Sequence, residues 1–335
     1  MSAGLTPWIV FFAAVSVMLA LDLAVGRRRE TTTRVALIWS GAWIALGLAF
    51  AGAVWAWRDG VAAQEYLAGY LIEKSLSIDN LFVFLVVFGS LGIALRHQRR
   101  VLFWGIIGAI VMRGAMIAAG VVALERFHWI IYLFGALLLA TAVRLMRTHG
   151  QPADPARNPL VRLTRRLVPV ATDYDGPSFT VHRQGTRLLT PLAVALVAIE
   201  STDVVFAVDS VPAVLAVTDD PFVAFTSNVA AILGMRSLYL ALAGTLRRFA
   251  YLSWGFAAVL VFVGAKMLLS DVVHLPAWTS LAVIVAAVGG AALASVWFAP
   301  DERRERRGPD RHGPAADERR GHGHSGERED MTEAS

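Results

Sequence analysis

Five acidic side chains stand inside long apolar segments, where ionisable groups are costly. Glu73 and Asp79 lie in EYLAGYLIEKSLSIDNLFVFLVVF, and Glu200, Asp203 and Asp209 lie in PLAVALVAIESTDVVFAVDSVPAV. A charged side chain at the centre of a membrane helix costs about 2.5–3.5 kcal/mol on insertion scales. These carboxylates must therefore face one another, a cation or a water-filled cavity, and they are candidate ligands for a cation.

The spacing of these acids limits which of them can share a site. Glu200 and Asp203 are three residues apart and share one face of a helix. Glu73 and Asp79 are six residues apart, as are Asp203 and Asp209, so each of these pairs diverges by about 120° on a regular helix. A single ligand set that contains all five acids therefore requires local unwinding.

The available ligands are oxygens, which suit Mn²⁺, Ca²⁺ or Mg²⁺ and do not separate Mn²⁺ from Ca²⁺. No histidine stands near these acids in the apolar segments, which disfavours a zinc or copper site. The predicted metal ligands are Glu73, Asp79, Asn80, Glu200, Asp203, Asp209 and Asn228. The predicted supporting residues are Ser77, Ser201, Thr202, Arg113 and Arg236, and Ser210 offers a further hydroxyl oxygen.

A purely structural interpretation competes with this one, because the same segments also contain five basic residues. Arg144 and Lys266 lie near the ends of their segments, where long side chains reach the interface. Arg113 and Arg236 lie deeper, and a cation does not bind to a cation. We interpret these two arginines as partners or gates of the acids rather than as ligands. The fifth basic residue is Lys74.

Composition places the elements that hold these residues in a membrane. The chain has 335 residues, of which 56% are hydrophobic and only 17% charged. Apolar stretches of about 18 or more residues recur along it, each long enough to cross a bilayer. The pattern predicts an all-α polytopic protein with nine spans, at about 7–25, 35–56, 66–93, 100–123, 129–146, 189–215, 221–246, 251–271 and 277–298.

Arginine distribution predicts the orientation of these spans. Arg27, Arg28 and Arg29 follow the first span directly, and the alternate loops after it are rich in arginine. The remaining loops hold only Arg58 and Arg126. By the positive-inside rule this predicts an N-terminus outside and a C-terminus inside, in a bacterial inner membrane. The net charge of +5 therefore reflects topology and not nucleic-acid binding.

Two triplets of spans resemble each other, at about 66–146 and 189–271. Asp79 pairs with Asp203, Arg113 with Arg236 and Arg144 with Lys266, at a near-constant offset of 122 to 124 residues. An odd number of spans per unit inverts the second copy. This predicts an inverted repeat with a binding site near the midplane, as in many secondary transporters. Apolar helices also resemble one another by chance, but these matches include charged residues.

The predicted membrane domain has two parts, 1–146 and 189–299, separated by a cytoplasmic loop at 147–188. FTVHRQGTRLLTP, at the end of the loop, predicts a small hairpin around Gly185. The tail at 300–335 is rich in charged residues and glycine, and its composition predicts disorder. Its histidines, His312, His322 and His324, are interpreted as incidental rather than as metal ligands.

Several segments resemble the signature sequences of the TerC/Alx family of integral membrane proteins. These are LDLAVG, EKSLSIDNLFVF and AIESTDVVFAVDSVPAVLAVTDDPFVAFTSNVAAILGMRSLYLAL, within a similarity over roughly residues 5–300. The resemblance implies association with tellurium resistance and manganese export, and a fold related to LysE-like cation exporters. It carries over the five acids, with Asn80 and Asn228 as neighbours. Carboxylates repel an oxyanion, so tellurite itself is a poor match to them.

Together these patterns predict an exporter of divalent cations, preferably Mn²⁺ or else Ca²⁺, working by alternating access and exchanging metal for protons. The alternative is a non-transporting scaffold in tellurite or metal stress that docks cytoplasmic proteins through 147–188 and the tail. No nucleophile–base pair or phosphate loop indicates an enzyme, and no cofactor is expected. The expected partners are the metal, the bilayer, and a cytoplasmic protein or a second copy of the chain.

Overall fold

The computed structural model describes residues 4–28, 32–148, 170–171, 176–183, 186–242, 252–273 and 275–297, and these ranges are almost entirely helical. The helices are α1 (Leu5–Arg28), α2 (Thr33–Trp57), α3 (Gly60–Ser90), α4 (Leu95–Arg126), α5 (Ile130–Thr148), α6 (Pro191–Leu215), α7 (Pro221–Ile232), α8 (Met235–Leu242), α9 (Leu252–Leu268) and α10 (Ala277–Trp297). Two strands, β1 (Thr180–Arg183) and β2 (Thr186–Leu189), precede α6. The predicted tail lies outside the described residues.

Six helical segments of the described chain are long and apolar enough to cross a membrane. The apolar parts of α1 and α9 are shorter, and α3 is interrupted by four charged residues, although it is 31 residues long. The protein is therefore an integral membrane protein with several apolar helices. The six segments are Thr33–Trp57, Leu95–Arg126, Ile130–Arg147, Pro191–Leu215, Pro221–Ala241 and Ala277–Ser295.

Local sequence explains where the central helices begin. Asp59 caps α3, because its carboxylate accepts a hydrogen bond from the backbone N–H of Ala62 at 2.8 Å. Asp220 caps α7 in the same way, accepting from Phe222 at 2.8 Å, and Pro221 occupies the first helical position. These caps fix the residues at which α3 and α7 begin.

The seventh predicted span is not one helix but two, α7 and α8, with a break at Gly234. Gly234 has a φ of 82°, a left-handed conformation that glycine adopts without strain. A side chain there would also overlap Trp43 of α2. The ammonium of Lys74 donates a hydrogen bond of 3.0 Å to the carbonyl of Ala231, one of the carbonyls freed at the end of α7. The break is therefore stabilised by packing and by a cation at a helix C-terminus.

Burial divides the helices into an inner and an outer group. In an apolar stretch of 18 residues within Pro221–Ala241, which comprises α7 and α8, 83% of the residues are buried, compared with 17% in such a stretch of α5 and 11% in one of α10. Apolar residues on the outer helices remain exposed, as expected for surfaces that face lipid. α6 and α7 are therefore inner helices, and α3 and α4 pack against them, so these four helices surround the buried residues Glu73, Arg113 and Asp203.

A small hairpin is present where the sequence predicts one. β1 and β2 pair antiparallel, with Thr180 opposite Leu189 and Arg183 opposite Thr186. The backbone N–H of Ala171 donates to the carbonyl of Leu189 at 2.8 Å, which brings an earlier part of the loop against β2. Most of the predicted loop, 149–169 and 172–175, lies outside the described residues.

Candidate functional site

The guanidinium of Arg113 lies at the centre of a buried group of oxygen-bearing side chains. It forms an ion pair with Glu73 and a two-point contact with Asp203, at 2.9 Å to Oδ1 and 3.4 Å to Oδ2. It also donates to the hydroxyl of Ser210 at 3.1 Å and to Oδ1 of Asn228 at 3.2 Å. We call these five residues, Glu73, Arg113, Asp203, Ser210 and Asn228, the central cluster.

Four helices contribute to the central cluster, and helical spacing explains how. Asp203 and Ser210 are seven residues apart on α6, so two turns bring both to the same face. Asn228 is on α7, where its amide donates to the carbonyl of Ala224 at 3.1 Å and so turns its Oδ1 toward Arg113. Glu73 comes from α3 and Arg113 from α4. The central cluster therefore joins both predicted repeats.

Asn80 extends the central cluster along α3. It lies seven residues after Glu73, on the same face, and its amide donates to Oδ1 of Asp203 at 3.3 Å. Ser77 stands between the two on that face and is completely buried. Of the predicted ligands and supporting residues, the structure thus gathers Glu73, Asn80, Asp203, Asn228 and Arg113.

Burial gives the central cluster an unusual electrostatic character. Arg113 is 1% exposed and Glu73 is fully buried, so the charges are removed from water. Such groups are stable only in contact with opposite charge and with further hydrogen bonds. Two carboxylates surround one guanidinium, so with both acids ionised the three groups carry one negative charge in excess. The arrangement is thus suited to a second positive charge or to protons.

Several buried oxygens around the central cluster have no hydrogen-bond partner among the described residues. They are Oε1 of Glu73, Oγ of Ser77, Oδ1 of Asn80 and Oε1 of Glu200. Buried polar atoms without partners are rare in folded proteins and call for an explanation, such as a bound ion or a water. All four are oxygens that can accept a hydrogen bond or coordinate a hard cation.

Glu200 is half-buried on α6, one turn before Asp203. Its carboxylate packs against α4 where Gly108 has no side chain, and a Cβ at that position would overlap the carboxylate. Gly108 therefore makes room for an acid between two tightly packed helices. Glu200 makes no ion pair within the described part of the chain.

Asp209 lies elsewhere, at the contact between α6 and α5. Oδ1 of Asp209 accepts a hydrogen bond of 2.8 Å from the hydroxyl of Thr141. α6 stays helical through Pro212, so Asp209 keeps the divergence of about 120° from Asp203 that six residues impose. The structure does not bring Asp209 to the central cluster.

The other predicted residues have different surroundings. Ser201 and Thr202 donate their hydroxyls back to the carbonyl of Ala198, at 2.9 and 2.8 Å. Arg236 is buried at the start of α8 and lines a small cavity together with Asp203. Asp79 is on α3, but its side chain lies outside the described residues.

Two polar contacts have a role that sequence reasoning did not assign. Ser210 contacts the guanidinium, which its seven-residue spacing from Asp203 could have indicated. Lys74 caps the C-terminal end of α7. This contact depends on the break between α7 and α8, for which Gly234 is the sole indication in the sequence of that segment. Within the described residues, no group of three or more histidines, cysteines or acids is arranged to hold a metal ion. The metal ligand set therefore stays a prediction.

Comparison with known proteins gives consistent matches over most of the chain. Residues 58–303 match the family described as "Integral membrane protein TerC family". The chain is 47% identical to an uncharacterized membrane protein of Myxococcus xanthus over 292 residues, which is 86% of this chain and 91% of that protein. It is 42% identical to Alx of Escherichia coli, named as a proposed membrane-bound redox modulator, over 83% of this chain and 90% of that protein. No solved structure matches the chain.

Proposed function

Because this chain belongs to the TerC family of integral membrane proteins, we propose that it is a secondary transporter that exports divalent cations, with Mn²⁺ as its cargo. In this proposal nine spans cross the bacterial inner membrane, with the N-terminus outside and the loop and tail in the cytoplasm. The six long apolar segments supply six spans, and α1, α3 and α9 supply the others. Two charged residues of α3 have inner partners, because Glu73 is fully buried against Arg113 and Lys74 donates to the carbonyl of Ala231.

The observation that carries the proposal is the chemistry around Arg113. Every side-chain partner of the guanidinium is an oxygen: two carboxylates, a hydroxyl and an amide carbonyl. That set is typical of sites for hard divalent cations. When both are ionised, the two carboxylates carry a charge of −2. A divalent cation neutralises this charge completely, whereas a guanidinium neutralises only half of it. Arg113 thus acts as a tethered cation that occupies the cation position when no metal is bound.

The contacts between helices support an inverted repeat. The first triplet is α3, α4 and α5, and the second is α6, the α7–α8 pair and α9. The first helix of each triplet packs on the second element of the other triplet. Thus α3 packs on α7, and α6 packs on α4. The third helices, α5 and α9, pack on each other. This reciprocity is what a twofold axis between the triplets requires, and the central cluster lies where they meet.

Transport then proceeds by exchange of cations at the central cluster. On the cytoplasmic side Mn²⁺ displaces the guanidinium and takes Glu73 and Asp203, with Ser210 and Asn228 as neutral ligands. Rocking of the two triplets exposes the metal to the outside. After release, Arg113 and protons neutralise the carboxylates, which spares the return step the cost of unpaired buried charge. Export of metal is thereby coupled to entry of protons.

The test is metal flux in proteoliposomes that contain the purified protein. Asp203→Asn and Glu73→Gln should each reduce Mn²⁺ transport to the level of empty liposomes, because each removes one of the two charged ligands. Asp271→Asn is the matched control, since it removes the same charge from an exposed position. Normal flux in both cluster variants would contradict the proposed site. Flux of Mn²⁺, Ca²⁺, Mg²⁺ and Zn²⁺ into inverted vesicles under an imposed pH gradient measures selectivity and coupling.

The name of the Alx relative suggests a second candidate function in redox modulation, and a scaffold without transport activity is the alternative that the sequence left open. The chain contains no cysteine, so its own side chains cannot carry thiol–disulfide exchange. A scaffold that docks cytoplasmic proteins would act through 147–188 and 300–335. It would lose function when those segments are replaced and keep it in Asp203→Asn, which is the reverse of the result expected for a transporter.

A further inference from the structure

A second polar cavity lies at the end of the bundle where α3 begins and α6 ends. Its volume is about 300 Å³. The starts of α5 and α10 and the end of α9 complete its wall. Glu65 stands eight residues before Glu73, about 12 Å along α3 from the central cluster. We call this space the mouth cavity, and define it by its polar residues, which are Glu65, Thr218, Asp219, Lys266 and Ser270.

Opposite charges line the mouth cavity without touching. Glu65 accepts a hydrogen bond of 2.6 Å from the hydroxyl of Thr218, and Asp219 is the next residue along the chain. Lys266 lines the same cavity as both carboxylates. It forms an ion pair with neither; its one hydrogen bond within the described chain goes to Ser280 of α10, at 3.1 Å. Acid and base therefore stand apart across a space, each with free hydrogen-bonding capacity.

Tryptophans mark the depth of the mouth cavity in the bilayer. Trp129 and Trp278 are 60% and 59% exposed. They lie two residues before Ile131 and one residue after Ala277, which both line the cavity. Exposed tryptophans concentrate at the level of lipid head groups. The remaining wall is largely apolar, with Val273 and Leu275 among its residues. This position is typical of the membrane interface, and the wall of the cavity has both polar and apolar parts.

We propose that the mouth cavity binds the zwitterionic head group of an aminophospholipid such as phosphatidylethanolamine. The primary ammonium of the lipid lies between Glu65 and Asp219, and its phosphate contacts Lys266. The glycerol and the first methylenes lie against the apolar wall. Such a ligand supplies both opposite charges at once, with charge-assisted hydrogen bonds at each end.

Other ligands fit the charges less well. A metal ion would be attracted by the two acids but repelled by Lys266. An anionic head group would pair with Lys266 but meet Glu65 and Asp219. A choline head group has the right charges but no N–H to donate to a carboxylate. The expected order of binding is therefore phosphatidylethanolamine first, then phosphatidylcholine and phosphatidylglycerol.

Lipid retention measured by native mass spectrometry tests this proposal on the full-length protein. The protein is purified in detergent and exposed to equal amounts of phosphatidylethanolamine, phosphatidylglycerol and phosphatidylcholine. Wild-type protein should retain phosphatidylethanolamine about tenfold more than either other lipid, since one charge-assisted contact distinguishes it from each. Equal retention of the three lipids by the wild type would overturn the proposal without any variant.

Variants at both ends of the cavity locate the site. Glu65→Gln and Lys266→Gln should each abolish the preference for phosphatidylethanolamine. Asp271→Asn and Arg126→Gln, which make the same charge changes outside the cavity, should keep it. A preference for phosphatidylethanolamine that persists in both cavity variants would overturn the proposal. The proposal would also be overturned if Mn²⁺ displaced the lipid from the wild-type protein but not from Glu65→Gln. This experiment measures lipid retention and not metal flux. Its result is therefore independent of whether the protein transports Mn²⁺.

Discussion

The central cluster and the mouth cavity both contain two acids and a base, yet they solve the same electrostatic problem differently. In the central cluster the guanidinium of Arg113 touches both Glu73 and Asp203. In the mouth cavity the ammonium of Lys266 forms an ion pair with neither acid. The difference follows from depth, because charges removed from water must be paired by contact, whereas charges near the interface are partly screened by water.

Of the two regions, the central cluster is the more sensitive to the loss of one charged partner. Removing one member of a buried ion pair leaves an uncompensated charge, which is costly. Removing one charge near water has a small effect on folding, because exposed pairs contribute little. The central cluster should therefore control stability and transport together, and the mouth cavity should control binding at its own surface.

Replacement of Arg113 by methionine should have the largest effect. It removes the guanidinium that contacts both Glu73 and Asp203, and it should destabilise the protein by about 3–5 kcal/mol. The measurement is the thermal unfolding midpoint in detergent, read by size-exclusion chromatography after heating. Arg126→Met, at the exposed end of α4, is the matched control and should leave the midpoint unchanged. An Arg113→Met protein as stable as wild type would show that the buried acids need no cation.

A side chain at Gly108 should have the next largest effect. Gly108→Ala would place a methyl group on the Glu200 carboxylate, at a cost of about 1–3 kcal/mol from overpacking. Gly52→Ala is the control, because nothing lies within 4 Å of a Cβ there and alanine favours a helix over glycine. The unfolding midpoint should fall for the first variant and stay equal or rise for the second. Equal effects would mean that α4 and α6 are not tightly packed at Glu200.

The smallest effects come from hydroxyl removal, and they compare the two regions directly. Ser210→Ala removes a buried hydroxyl that accepts a hydrogen bond of 3.1 Å from the guanidinium, and it should cost about 1–2 kcal/mol. Thr218→Val removes a donor from Glu65 near the interface and should cost less than about 1 kcal/mol. Denaturation in parallel measures both. If Thr218→Val were the more destabilising, the mouth cavity would be as well shielded from water as the central cluster. The proposed difference in depth between the two regions would then be wrong.

Much of the framework could be predicted before the structure, because the physics that sets it is local. Long apolar stretches require membrane helices, and Gly185 between short extended segments indicates the hairpin that is observed. The family resemblance likewise follows from contiguous residues. The break at Gly234 could not be predicted with the same assurance. A glycine inside an apolar segment also occurs in unbroken helices, and the packing of Trp43 that favours the break comes from a distant helix.

The candidate site shows the same division between local and distant information. Seven-residue spacing could place Asp203 with Ser210, and Glu73 with Asn80, on single helix faces. Spacing could not tell which faces meet across helices. The prediction listed Asp209 among the ligands on the condition that the helix unwinds. The helix does not unwind, and Asp209 accepts a hydrogen bond from Thr141 on α5.

Composition and contiguous motifs are enough to place this protein in a membrane, to assign it to its family and to locate acids in its apolar helices. These properties depend on composition and on neighbouring residues, which every segment carries wherever it packs. The contacts of Arg113 with Glu73 and Asp203 are visible only in the folded protein. The same is true of the cavity that Lys266 and Glu65 line without forming an ion pair. Such contacts depend on the distances between helices far apart in the chain, and those distances result from the packing of all the helices together.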